Sequence, residues 1–255
     1  MRYLVGIFGL LWKLYIAIVF SVLAIILYPF FLLLLMNPKW KKMSFNLFIF
    51  WSWLMRFFCL YHVNKISNNG LPDGPYVIVA NHSSYLDIFF MYSLIPKHPF
   101  VFLGKSEILN YPIIRTYFKN LNIPVYRSDK SKAGQSLLLA ERAVQQGWSI
   151  AIFPEGGIPD DDNPKMMPFK DGAFKLAKTL EIPVVPITFV NNFFLFSDPT
   201  LILGPARPGI ADVIIHDVVA KSDVQSMSVV ELREHCFEVI SNPLEKRYPK
   251  LHQNS

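Results

Sequence analysis

The chain of 255 residues carries a formal net charge of +6 on only 17% charged residues. All of that excess lies before residue 64, where Arg2, Lys13, Lys39, Lys41, Lys42 and Arg56 stand with no acid, since Asp73 is the first carboxylate. The remainder is balanced, so the chain lacks the basic surface that phosphate neutralisation on nucleic acid requires. A content of 52% hydrophobic and 15% aromatic residues excludes intrinsic disorder. Two cysteines, Cys59 and Cys236, exclude a disulfide scaffold and a cysteine metal cluster. The six histidines show no pair at zinc-site spacing, so no metal is expected.

The first predicted element is apolar. Residues 14–36 are uncharged, and as a helix they would reach about 35 Å, enough for a hydrocarbon core of about 30 Å. Pro29 should kink this helix or end its regular part. A signal peptide cleaved near Val22-Leu23-Ala24 is the rival reading, but the apolar run continues well past Ala24. A turn with three lysines and Trp40 follows. A second apolar stretch, 43–63, is interrupted by Arg56, and a central arginine costs about 2.5–3.5 kcal/mol on insertion. Two arrangements remain open: one full span, or a helical hairpin dipping into one leaflet. Both place the neutral body at the cytosolic face of a membrane, the inner membrane in a bacterium.

Residues 1–66 thus form a membrane-anchoring two-helix segment, and a turn-rich linker at 67–75 opens a second part, 67–255. Strands are predicted at 76–80, 100–103, 123–126, 149–153, 184–190 and 212–217. Helical periodicity marks 85–94, 111–118, 133–146, 172–180 and 229–244. The alternation predicts an α/β fold with a mixed, mostly parallel sheet flanked by helices.

In such sheets chemistry gathers where strands end. One strand runs into Asn81-His82-Ser83-Ser84, with Asp87 five residues after the histidine. A carboxylate there can turn back to one imidazole nitrogen, fixing the tautomer and leaving the other nitrogen as a base. Ser83 and Ser84 read as helix caps rather than nucleophiles, and Ser84 with Asp87 also fits a capping box. A second strand ends in Phe153-Pro154-Glu155-Gly156-Gly157, where glycines allow close approach to the backbone.

Asn81-His82-x-x-x-x-Asp87 and Phe153-Pro154-Glu155-Gly156 together resemble the 1-acyl-sn-glycerol-3-phosphate acyltransferase family. Lys105-Ser106-Glu107, Tyr111-Pro112 and Pro124-Val125-Tyr126-Arg127 are similar to its second motif. Residues 182–187 are similar to its fourth, and Phe169-Lys170-x-Gly172-Ala173 to the segment after the third. The resemblance implies transfer of a fatty acyl group from a thioester to a lysolipid hydroxyl. In that reading His82 and Asp87 are catalytic, and Asn81, Lys105, Arg127, Glu155, Gly156 and Gly157 contact substrate. No cofactor is implied beyond acyl-CoA or acyl-ACP as donor. The implied partners are the lysophospholipid acceptor, the thioester donor (coenzyme A or acyl carrier protein as its carrier) and membrane lipids.

The chain departs from the family pattern in places. Gly157 and Ile158 stand where the third motif usually has threonine and a phosphate-holding arginine, and Arg115 and Asn122 replace two glycines of the second motif. An acceptor without phosphate, such as an acylated amino-acid lipid, is therefore an alternative, as is a non-catalytic lipid-binding or scaffolding protein. Asp160-Asp161-Asp162 reads as a solvated loop rather than a metal site. Asn192-Phe193-Phe194-Leu195-Phe196 reads as core, with the lining of an acyl tunnel or contact with the membrane as alternatives.

Overall fold

A computed structural model describes residues 2–110, 112–126, 130–159 and 163–249. The first helix, α1 (Arg2–Met36), runs through Pro29 without ending there. Its buried positions Ile16, Leu23, Leu27 and Phe31 fall on one face. Leu11, Leu14, Ile18, Val22 and Ile25 occupy the other and are exposed. The buried face is tied to the protein along its length. Trp12 Nε1 donates to the Tyr61 hydroxyl (3.2 Å), the Tyr15 hydroxyl to the Phe58 carbonyl (2.9 Å), and the Tyr117 hydroxyl to the Ala24 carbonyl (2.9 Å). Phe31 packs on Phe48 with ring centroids 4.5 Å apart. The helix is long and apolar enough to cross a membrane, and its outward face is apolar and exposed, as membrane association requires.

The second apolar stretch divides instead of forming one element. Helix α2 (Lys41–Phe58) buries Phe45, Phe48, Trp51 and Met55. Arg56 is buried too, with its guanidinium over the Trp53 ring at 4.1 Å. The chain then turns through Leu60 at φ 51° and enters strand β1 (Tyr61–Asn68), which the apolar reading of 43–63 had hidden. The expected boundary at residue 66 falls inside this strand.

Six more strands complete one sheet: β2 (Val77–Ala80), β3 (Phe100–Lys105), β4 (Ile123–Val125), β5 (Ser149–Ile152), β6 (Val184–Phe189) and β7 (Gly209–Ile215). Their order is β1-β7-β6-β2-β5-β3-β4. Pairing is parallel except between β6 and β7, so the mixed, mostly parallel sheet expected from the sequence is present. The helices between β2 and β6 are α3 (Leu86–Leu94), α4 (Pro112–Leu121), α5 (Lys130–Gln145) and α6 (Gly172–Leu180). They are followed by α7 (Asn192–Leu195), α8 (Lys221–Ser226) and α9 (Val229–Arg247). Strands β2 and β6 are buried at every position, as central strands covered on both faces must be.

One core packs the sheet against α1, α2 and α3, and a second packs it against α6 and α9. Because β2, β3, β5 and β6 run the same way, their carboxyl ends meet at one edge. That edge collects His82, Lys105, Glu155 and the turn into α7.

Candidate active site

Strand β2 ends at Ala80, and the next residue anchors it. Asn81 Oδ1 accepts from the Phe189 amide (2.8 Å) while its Nδ2 donates to the Phe189 carbonyl (3.0 Å), joining the ends of β2 and β6. His82 follows, its side chain 12% exposed, with Nδ1 3.0 Å from Asp87 Oδ2. The same oxygen accepts the Ser83 and Ser84 amides, at 2.8 and 2.9 Å. Oδ1 accepts from Asn192 Nδ2 at 2.6 Å. Asp87 is fully buried and still satisfied at every position.

The capping box forms only in part, because the helix is capped at Tyr85 without a side-chain bond and the Asp87 amide donates to the Ser84 carbonyl rather than its hydroxyl. Ser84 Oγ accepts the Leu86 amide (3.1 Å), Asp87 reaches back to the Ser84 amide, and the same carboxylate orients His82. The Ser84 hydroxyl also donates to the Phe196 carbonyl at 2.6 Å, which occupies it structurally. Asp87 holds the imidazole through Nδ1, so Nε2 is the nitrogen that can take a proton. Phe153 lies flat on the imidazole, centroids 4.1 Å apart and planes 15° from parallel, with Phe102 stacked behind it. A ring held between a carboxylate and a stacked aromatic loses rotational freedom before substrate arrives.

Glu155 sits behind the histidine. Its Oε1 accepts the His82 amide and its Oε2 the Met167 amide, both at 2.7 Å. Burial pushes its carboxyl up to about 8, against the opposing effect of those two amides, and the charge on Asp87 adds to the rise. The sequence reading gave Asn81 and Glu155 to the substrate. The structure leaves them only 1% and 2% exposed, with every side-chain polar atom on a backbone partner. As placed, they brace the junction.

Lys105, at the end of β3, is exposed, and a Cβ on Gly157 would stand 3.2 Å from its Nζ. The second and third motifs therefore converge in space. Gly156 adopts φ 84°, a conformation that favours glycine at this turn. Arg115 is exposed and Ile158 half-buried. Arg127, Tyr111 and Asp160-Asp161-Asp162 lie outside the described residues. Among the described residues no group of three or more His, Cys, Asp or Glu side chains is placed to hold a metal ion.

Two residues of the site escaped the sequence reading. Asn192, which the sequence places in a phenylalanine-rich core segment, is the partner of the other carboxylate oxygen of Asp87. Asn163 Nδ2 donates to the Ser83 carbonyl at 2.9 Å. Both are remote in sequence, 105 and 80 positions from their partners, and no local pattern marks them.

The family profile described as Acyltransferase matches residues 41–190. A chloroplastic 1-acyl-sn-glycerol-3-phosphate acyltransferase of Brassica napus is 32% identical over 82% of this chain and 59% of its own. Its counterpart in Arabidopsis thaliana is 34% identical over 80% of this chain and 56% of its own. The chain thus spans little more than half the length of these curated relatives. The crystal structure of the 1-acyl-sn-glycerophosphate acyltransferase PlsC from Thermotoga maritima shares the fold at a TM-score of 0.75. It has 23% identity, with 97% of this chain and 98% of that one covered. With the profile spanning more than half of its length and the His82–Asp87 junction in place, this chain belongs to the Acyltransferase family.

Proposed function

We propose that this chain moves a fatty acyl group from acyl-CoA or acyl-ACP to the free hydroxyl of 1-acyl-sn-glycerol-3-phosphate, forming phosphatidic acid. The observation that carries the reading is the His82 Nδ1–Asp87 Oδ2 contact of 3.0 Å at the carboxyl edge of a parallel sheet. Nε2 of His82 takes the proton of the acceptor hydroxyl as its oxygen attacks the thioester carbonyl carbon. Asp87 stabilises the imidazolium that forms. When the tetrahedral intermediate collapses, the carbon–sulfur bond breaks and the thiolate leaves with the proton from Nε2. General base catalysis of this kind contributes about 10²–10⁴-fold. No acyl-enzyme is needed, because the attacking oxygen belongs to the acceptor. Asn81 and Glu155 act as positioning residues, Lys105 and the backbone of Gly156 and Gly157 face the acceptor, and Arg127 is assigned to the acceptor by its motif alone.

The N-terminal helices are the membrane-contacting part of this assignment, and the remainder is catalytic. An α1 of 35 residues is about 52 Å long, well beyond a hydrocarbon core of about 30 Å. It is also bonded to the protein from Trp12 to Phe31. Both features favour α1 embedded in one leaflet along the side of the domain, at the cytosolic face.

A family member acting on a phosphate-free lysolipid is the second reading, favoured by Ile158 where the phosphate-holding arginine of the family pattern would stand. Purified protein supplied with one labelled thioester and a panel of lysolipids separates the two. His82→Ala should abolish turnover with the fold and membrane binding intact, and wild-type turnover in that variant would refute the mechanism. Arg127→Ala should raise the KM for lysophosphatidic acid, and Ile158→Arg should lower it or leave it unchanged. If Ile158→Arg impairs the natural acceptor, that acceptor carries no phosphate.

A further inference from the structure

The segment after α7 forms a tight loop that the acyl-transfer chemistry does not use. Phe196 and Ala206 pair across its neck, and the Ser197 amide donates to the Pro205 carbonyl at 2.9 Å. Inside, the Leu201 amide donates to the Asp198 carbonyl and the Gly204 amide to the Leu201 carbonyl. The Thr200 amide and hydroxyl both donate to Asp198 Oδ1. Backbone so fully bonded makes a rigid projection. Yet its tip is Leu201-Ile202-Leu203, three consecutive apolar residues that are 38%, 63% and 54% exposed.

That tip is held against α1. Lys13 Nζ donates to the Asp198 and Leu201 carbonyls, although Lys13 itself is only 6% exposed. Gly6 and Gly9 make the approach possible: a Cβ on Gly6 would stand 3.3 Å from Leu203 Cβ, and one on Gly9 2.9 Å from the Gly204 carbonyl oxygen. The exposed tip thus adjoins the helix that associates the chain with membrane. A soluble surface rarely presents such a contiguous apolar tip, and one that continues a lipid-facing helix belongs with it in lipid. At its other end the loop reaches the active site, because the Phe196 carbonyl accepts from Ser84 Oγ and Asn192 of α7 holds Asp87.

We propose that the loop 198–204 is a second membrane-inserting element, whose apolar tip enters the acyl-chain region beside α1 and ties the His82–Asp87 junction to the bilayer surface. The proposal rests on the membrane association of α1, and the test separates the two. Single cysteines are placed in the full chain by Ile25→Cys on α1, Ile202→Cys on the loop and Ser222→Cys on the exposed surface of α8. The native Cys59 and Cys236 are buried and do not compete for the label. Each variant carries an environment-sensitive fluorophore. Each is mixed with phosphatidylethanolamine–phosphatidylglycerol vesicles containing a nitroxide on the acyl chain.

Label at 25 and at 202 should shift to the blue and be quenched, while label at 222 should do neither. Quenching at 25 with position 202 behaving like 222 would overturn the proposal and leave the anchor standing. Loss of quenching at both would overturn the anchor as well. A shift at 202 that follows protein concentration without vesicles would assign the tip to a contact between copies, also overturning the proposal. In support, Ile202→Glu should lower kcat/KM on vesicle-borne acceptor about tenfold and leave activity on micelle-dispersed acceptor unchanged.

Discussion

Replacing Asp87 by asparagine isolates the charge of the carboxylate from its geometry. Three donors converge on Oδ2, the His82 ring and the amides of Ser83 and Ser84, so the amide oxygen of an asparagine belongs at that position. Its NH2 group then takes the place of Oδ1, facing Asn192. There it meets a neighbour able to adapt, because Asn192 Oδ1 is buried without a partner among the described residues and turning that amide presents it as an acceptor. The imidazole tautomer and the fold therefore survive, and what is lost is the negative charge beside the imidazolium. Unit charges about 4 Å apart at an effective dielectric constant near 20 attract by about 4 kcal/mol. A neutral amide acceptor recovers part of this, leaving a loss of about 2–4 kcal/mol. That is about thirtyfold to a thousandfold in kcat/KM.

Asp87→Ala should behave differently, since it also strips the buried Ser83 and Ser84 amides of their acceptor. Each unsatisfied donor costs about 1–3 kcal/mol, so this variant should be less stable as well as inactive. The assay is acyl transfer to lysophosphatidic acid alongside thermal denaturation for both variants. The reasoning fails if Asp87→Asn keeps more than about a third of wild-type activity. It fails too if Asp87→Asn is destabilised as much as Asp87→Ala, because Asp87 would then be chiefly a cap.

Two further outcomes follow from the residues around this pair. Glu155 keeps its proton in the folded state up to about 8, whereas its ordinary value is 4.5. Between those values the native state binds more protons than the unfolded one, so its contribution to stability is lost as pH rises through that window. Glu155→Gln removes that slope while setting an NH2 against one of two backbone donors. The variant should therefore be the weaker protein at pH 5 and close the gap toward pH 8, and denaturation curves parallel to wild type across that range would refute the assignment. Gly157→Ala asks only the flexible end of Lys105 to shift, since its Cβ would stand 3.2 Å from Nζ. Stability should hold within about 0.5 kcal/mol. The acceptor KM should rise at unchanged kcat if Lys105 contacts the acceptor, and an unaltered KM would remove Lys105 from the acceptor site.

Local order in the sequence carried much of this protein. Strand and helix periods, the turn-rich run after Asn68 and the strand ends bearing His82 and Glu155 are written in neighbouring residues, because backbone geometry repeats over a few positions. The His82–Asp87 pair was legible for the same reason, five residues being one turn into a helix. Strand β1 was not, since an apolar run ending in Tyr61-His62-Val63 suits a helix and a strand alike until β7 is there to bond it. Nor were the partners that arrive from elsewhere on the chain: Asn192 on Asp87, Phe153 flat on His82, Asn163 on Ser83, and Lys13 of α1 under the loop at 198–204. A hydrogen bond between distant residues leaves no period in the sequence. Composition likewise marked Asn81 and Glu155 as polar residues at a strand end. Only packing decided that they face the backbone, because burial without water obliges each polar atom to find a partner inside the protein.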